Sequence, residues 1–194
     1  RWEAGGLRPR SARGPAAGII GRGASVLVDI DVDLQPSGWR VSEGWSGDQQ
    51  AARDLLARDL DDLQIAALGY EGRLKVAVCG PWTFAACLER PRGGLLLADP
   101  GARRDLGQSL AAGLAELVDQ VRAKLPGAQV VLQLDEPMLP MVLEGGVRTA
   151  SGLERYRRVE LAEVSDSLRD LRAVVDRAVE VESWVLHACA PGVP

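Results

Sequence analysis

The sequence has few of the residue types that most often carry catalysis and metal binding. Its 194 residues include one histidine, His187, and three cysteines, Cys79, Cys87 and Cys189. So small and odd a number of cysteines argues against a disulfide framework, and we expect a reducing, cytoplasmic location. A serine or cysteine protease arrangement would have to use His187, and no local signature of such a protease accompanies it.

Long apolar runs, blocks of like charge and phosphate-binding glycine motifs are absent as well. Apolar segments such as residues 130–134 are too short to span a bilayer. The net charge is −4, and no block of five or more like charges occurs, so nucleic acid and anionic membranes are poor candidates for partners. Neither the nucleotide nor the dinucleotide glycine motif appears.

The composition is that of one globular unit. A hydrophobic fraction of 46% in a chain of this length predicts a single domain over residues 1–194. Residues 1–23 carry six glycines, two prolines and five arginines, which predicts an irregular lead-in. Because the sequence begins at Arg1 and ends at Pro194 directly after a strand-like segment, we expect a piece of a longer chain, cut at both ends.

Hydrophobic periodicity predicts an α/β fold in which strands alternate with amphipathic helices. Residues 39–47 are predicted as loop, and Ser151 with Glu154 forms a possible capping box. Strands separated by helices are typical of a parallel sheet. The predicted strands cover residues 28–34, 74–79, 130–134 and 184–187, with a helix as the alternative for the first of them. The predicted helices cover residues 48–68, 83–89, 99–125 and 163–181.

Three polar motifs lie where predicted strands end. They are Gly80-Pro81-Trp82-Thr83, Asp135-Glu136-Pro137 and His187-Ala188-Cys189. In parallel α/β folds the carboxyl ends of the strands share one edge, where active sites form. The sequence therefore predicts that the three motifs form one site.

His187 and Cys189 are candidate metal ligands. Side chains two apart on a strand face the same way, and zinc accepts both imidazole and thiolate. The alternative is a hydrogen-bonded histidine beside a buried thiol. Cys79 could add a third ligand, but its apolar strand favours a core position.

The other two motifs are candidate substrate contacts. Asp135 and Glu136 could bind a substrate ammonium, transfer protons or ligate a metal, although only one of two adjacent strand residues need face the site. The alternative is a strand cap followed by a turn at Pro137. Gly80 would allow another group to approach the backbone closely, and Trp82 could form part of a pocket wall. The alternative for this segment is a plain strand-to-helix turn.

Together the motifs resemble a known enzyme family. The segments GPWTFAACLE at residues 80–89, QLDEPMLP at residues 133–140 and LHACAP at residues 186–191 resemble the catalytic domain of cobalamin-independent methionine synthase. They look most like the short, single-domain actinobacterial homologues, in the superfamily that includes uroporphyrinogen decarboxylase. The resemblance covers the chain from about residue 27 onward.

This resemblance implies a (β/α)8 barrel that binds zinc through His187 and Cys189 and the homocysteine amino group through Asp135. The implied reaction is methyl transfer to homocysteine, giving methionine, with the zinc-bound thiolate as nucleophile. The methyl donor stays open between a methyl-folate and a methyl-corrinoid. A barrel of this type needs ~250 residues, so we expect an incomplete one. Its later glutamate and cysteine ligands have no position in this sequence.

Two alternatives remain at this point. One is a metal-free, decarboxylase-like member of the superfamily, in which Asp135 acts electrostatically and His187 and Cys189 line the pocket. The other is a non-catalytic fragment whose exposed apolar surface and open strand edges promote association.

Overall fold

The computed structural model describes residues 13–188, which form an α/β fold. A three-stranded parallel sheet lies among helices, and a separate two-stranded hairpin precedes it. The described strands do not close an eight-stranded barrel. The helices are α1 (Ile19–Ala24), α2 (Gly47–Ala66), α3 (Pro81–Cys87), α4 (Pro100–Lys124), α5 (Leu139–Glu144) and α6 (Leu161–Ala178). The strands are β1 (Val32–Gln35), β2 (Gly38–Val41), β3 (Gly72–Cys79), β4 (Ala128–Asp135) and β5 (Ser183–His187).

The parallel sheet has the order β3-β4-β5, with α4 and α6 in the two crossover connections. Val130, Leu132 and Leu134 of the central strand β4 are buried, which explains the apolar run in the sequence. The other face of β4 carries Gln129 and Gln133, which are exposed and half-buried respectively. The predicted parallel sheet is thus confirmed for these three strands.

Helix α4 begins and ends within one residue of the predicted range, 99–125. The side chain of Asp99 accepts hydrogen bonds from the backbone N–H groups of Gly101 and Ala102, and Pro100 occupies the first position. The helix ends at Lys124, just before the Pro126-Gly127 pair. Its apolar stripe is buried in the core and consists of Leu106, Leu110, Leu114, Leu117 and Val121.

The hairpin corrects two sequence predictions. The strand predicted over residues 28–34 is limited to β1, because Asp29 has a left-handed backbone with φ of 59° that interrupts an extended run. Part of the predicted loop 39–47 is the strand β2, which pairs antiparallel with β1 through a two-residue turn. Trp39 of β2 is buried, so tertiary packing stabilises a strand too short to give a clear sequence period.

Four helix starts also differ from the predictions. Helix α3 begins at Pro81, two residues before the predicted start at residue 83. In the described part of the predicted lead-in, residues 19–24 form α1, whose Gly23 lies against Cys79 and Phe84. Helix α2 begins at Gly47 and is capped by Ser46, two residues before the predicted start at residue 48. Helix α6 begins at Leu161 without a side-chain cap, whereas the hydroxyl of Ser151 accepts from the N–H of Leu153 in a local turn. Short polar side chains form hydrogen bonds with the backbone both in turns and at helix starts. The residue type alone therefore does not show whether a turn or a helix begins there.

Within residues 13–188, no helix combines the length and the apolar character needed to cross a membrane.

Candidate functional site

The carboxyl ends of the three parallel strands bring Cys79, Asp135 and His187 into one row. Cys79 of β3 is the register partner of Asp135 on β4, and Asp135 is the partner of His187 on β5. Register partners in a parallel sheet present their side chains to the same face. The three strand ends that precede or carry the predicted motifs therefore lie side by side at one edge of the sheet.

Asp135 and His187 are joined directly by their side chains. Oδ1 of Asp135 lies 3.0 Å from Nδ1 of His187. The imidazole side chain is 50% exposed and the carboxylate 25% exposed, so the pair can be reached from solvent. A carboxylate on one ring nitrogen orients the other nitrogen outward, as is typical of metal-binding histidines. Nε2 of His187 makes no hydrogen bond to any described residue.

Gln133 extends this pair. It lies two residues before Asp135 on the same face of β4, and its amide Nε2 donates to Oδ1 of Asp135 at 2.7 Å. The sequence predictions did not include Gln133. The period-two alternation of a strand ending in Asp135 would have indicated it.

Glu136 has an environment opposite to that of its neighbour Asp135. The residue has no exposed surface, and its carboxylate accepts from the backbone N–H groups of Trp82 and Thr83 at 2.9 and 2.6 Å. The Thr83 hydroxyl donates to the same carboxylate at 2.7 Å. Burial raises the pKa of Glu136 to about 7, although these donors act in the opposite direction. This geometry makes Glu136 the anchor of the first turn of α3, and its burial contradicts the prediction that it contacts a substrate. Of the two adjacent carboxylates, only that of Asp135 is partly exposed.

Gly80 and Trp82 lie in the interior around Glu136. A Cβ atom at Gly80 would collide with the Glu136 carboxylate, so the predicted close approach is to that side chain. Trp82 is 2% exposed, and the guanidinium of Arg103 on α4 lies 5.8 Å from the centre of its ring. Trp82 therefore packs between helices instead of walling an open pocket among the described residues.

Cys79 is a core residue, as its apolar strand predicted. It is 2% exposed, and burial, followed by the nearby Glu136, raises the pKa of its thiol well above the ordinary value. The thiolate required of a metal ligand is thereby disfavoured.

A cavity of about 700 Å³ runs along β3 and reaches Asp135. Its walls include Leu56 and Leu60 of α2 and Val76 of β3, and charged side chains such as Lys75 also line it. The walls are therefore mixed in character, with several charged side chains among the apolar ones.

The described residues supply one oriented candidate ligand for zinc, His187. Among residues 13–188, no group of three or more histidine, cysteine, aspartate or glutamate side chains could hold a metal ion. Cys189, the other predicted ligand, lies outside the described residues. Since a zinc site uses three or four protein ligands, the described part fits one position of such a site.

The sequence matches no protein-family model, no curated protein and no solved structure.

Proposed function

We propose that this chain is part of a zinc-dependent methyltransferase that acts on the thiol of homocysteine. The single observation that carries the proposal is the hydrogen bond between Asp135 and His187 at the carboxyl edge of the parallel sheet. The resemblance of the three strand-end motifs to cobalamin-independent methionine synthase supplies the reaction. The proposal includes an incomplete (β/α)8 barrel, a cytoplasmic location and a methyl-folate or methyl-corrinoid donor.

The proposed metal ligands are His187, through Nε2, and Cys189. Zinc, when bound, would act as a Lewis acid that lowers the pKa of the substrate thiol. The bond from Nδ1 of His187 to Asp135 holds the imidazole ring in the orientation that directs Nε2 outward. One protein nitrogen is thus preorganised before any ligand arrives.

Asp135 has a second role in this proposal. Its Oδ1 already accepts from Gln133 and His187, while Oδ2 makes no hydrogen bond to any described side chain. Oδ2 is therefore available to a substrate ammonium, and the apolar side chains of the cavity beside Asp135 suit the methylene groups of an amino-acid side chain.

Zinc content tests the proposal. We expect the purified protein at its natural length to contain about one zinc ion per chain, and His187→Ala and Cys189→Ala to lose it. Cys87→Ala is the matched control, because burial raises the pKa of the Cys87 thiol to about 12 and leaves it unsuited to metal binding. Element analysis by mass spectrometry gives the stoichiometry.

Two results would contradict the metal-dependent reaction. Zinc absent from the wild-type protein would remove the metal from the proposal. Full activity of Cys189→Ala would instead favour the metal-free, decarboxylase-like alternative, in which Asp135 acts electrostatically on a cationic substrate.

A further inference from the structure

Gln133, Asp135 and His187 form a chain of side-chain hydrogen bonds across two strands. Gln133 and Asp135 lie on one face of β4, and His187 is the register partner of Asp135 on β5. The Gln133 amide and the His187 ring both meet the same atom, Oδ1 of Asp135, at 2.7 and 3.0 Å. One carboxylate oxygen thus forms hydrogen bonds with two side chains on the same face of the sheet.

The donors in this chain follow from the chemistry of the groups. An ionised carboxylate only accepts hydrogen bonds, so the Gln133 amide must donate through Nε2, and Nδ1 of the neutral imidazole must carry the proton. A neutral imidazole with its proton on Nδ1 has its lone pair on Nε2. The arrangement therefore selects one tautomer of His187, the one that can bind a metal or accept a proton through Nε2.

We infer that Gln133 is a positioning residue that sets the tautomer of His187 through Asp135. Without the Gln133 donor, the Asp135 carboxylate is free to rotate and to present either oxygen, and its hold on Nδ1 weakens. This inference deepens the proposed function, since His187 is the proposed zinc ligand. The tautomer itself is a property of the metal-free protein.

The single histidine makes a direct test possible. In ¹⁵N-labelled, metal-free protein, at a pH where the imidazole is neutral, long-range ¹H–¹⁵N correlation spectra show which ring nitrogen carries the proton. We expect the Nδ1–H form to predominate in the wild-type protein and to become the minor form in Gln133→Met. Asp135→Ala removes the carboxylate that accepts from Nδ1, so its spectrum shows the tautomer ratio of His187 without that hydrogen bond.

Gln129→Met is the matched control. Gln129 lies on the same face of β4 four residues earlier, is exposed, and makes no side-chain hydrogen bond among the described residues. Its replacement should leave the tautomer unchanged. Gln133→Leu provides a second test of the same donor if the methionine variant folds poorly. A wild-type tautomer in a folded Gln133 variant, together with a changed tautomer in Asp135→Ala, would overturn the inference.

Zinc titration of the same variants separates this inference from the proposed function. Loss of a partner that orients a metal ligand typically costs about tenfold or more in metal affinity, which we expect for Gln133→Met and not for Gln129→Met. If Gln133→Met changes the tautomer and the wild-type protein binds no zinc, the role of Gln133 is supported and the zinc-dependent function is refuted. Zinc binding with no tautomer shift would refute only the role of Gln133.

Discussion

Two adjacent carboxylates at the end of β4 have separate tasks because consecutive strand residues face opposite ways. Asp135 faces the partly exposed edge of the sheet, where it holds His187. Glu136 faces the interior, where it binds the first turn of α3. A ligand can reach the carboxylate of Asp135, whereas the carboxyl group of Glu136 joins two elements through its hydrogen bonds.

The buried Glu136 predicts a pH dependence of stability. Its pKa is raised from the ordinary value of 4.5 to about 7, so the folded state binds this proton more tightly than the unfolded state. The contribution to the free energy of unfolding is complete below about pH 4.5 and is lost as the pH rises through 7, on the order of 3 kcal/mol in total. We expect Glu136→Gln to remove this slope when denaturant unfolding is measured between these pH values.

Glu116→Gln is the control for that measurement, because Glu116 is exposed on α4 and makes no side-chain hydrogen bond among the described residues. It should keep the wild-type slope. Equal slopes in wild-type protein and Glu136→Gln would show that Glu136 does not titrate differently in the folded state.

At the scale of elements, α4 is held in place by close backbone contact as well as by its leucines. Gly113, in the middle of the helix, packs directly against the backbone carbonyl oxygen of Val26, where a Cβ atom would collide. Gly107, six residues earlier in the same helix, has nothing within 4 Å of the position a Cβ atom would take. The two glycines therefore test packing and helix propensity separately.

We expect Gly113→Ala to destabilise the protein by about 2 kcal/mol or more, because the helix must move away from the Val26 segment. Gly107→Ala should be neutral or stabilising by up to about 1 kcal/mol, since alanine favours the helix. Denaturant unfolding of both variants measures the difference. Similar stability of the two variants would argue against close packing at Gly113.

At the scale of the whole molecule, the parallel sheet has an open edge along β5 within the described residues. Val185 and Leu186 on that strand are 39% and 51% exposed. An edge strand with exposed apolar side chains is prone to pair with other chains. The open edge therefore offers unpaired backbone groups to which a strand of another chain could bind.

We therefore expect the protein to associate in a concentration-dependent manner and Leu186→Lys to reduce that association, because a charged edge strand resists pairing. Leu153→Lys is the control, since Leu153 is 90% exposed but lies outside the sheet, and it should associate like the wild-type protein. Sedimentation velocity over a range of concentrations measures the effect. A monodisperse monomer throughout that range would contradict the prediction.

Local patterns predicted the elements that have strong local signals. The cap at Asp99, the leucine stripe of α4 and the apolar run of β4 each occur in one continuous segment, so neighbouring residues are sufficient to indicate them. The strand β2 and the start of α6 were not predicted. The first depends on pairing with β1, and the second has no side-chain cap.

For the candidate site, the sequence determined that Asp135 and His187 end neighbouring parallel strands, because alternating strands and helices place strand ends at one edge. Only the tertiary structure decided that Glu136 and Trp82 are interior residues and that Gln133 joins the Asp135–His187 pair. Burial and hydrogen bonding depend on which segments pack together, and Trp82 of α3 meets Glu136 across 54 residues of sequence. A residue's type and spacing indicate what chemistry it can perform, whereas the packing around it decides whether a ligand can reach it.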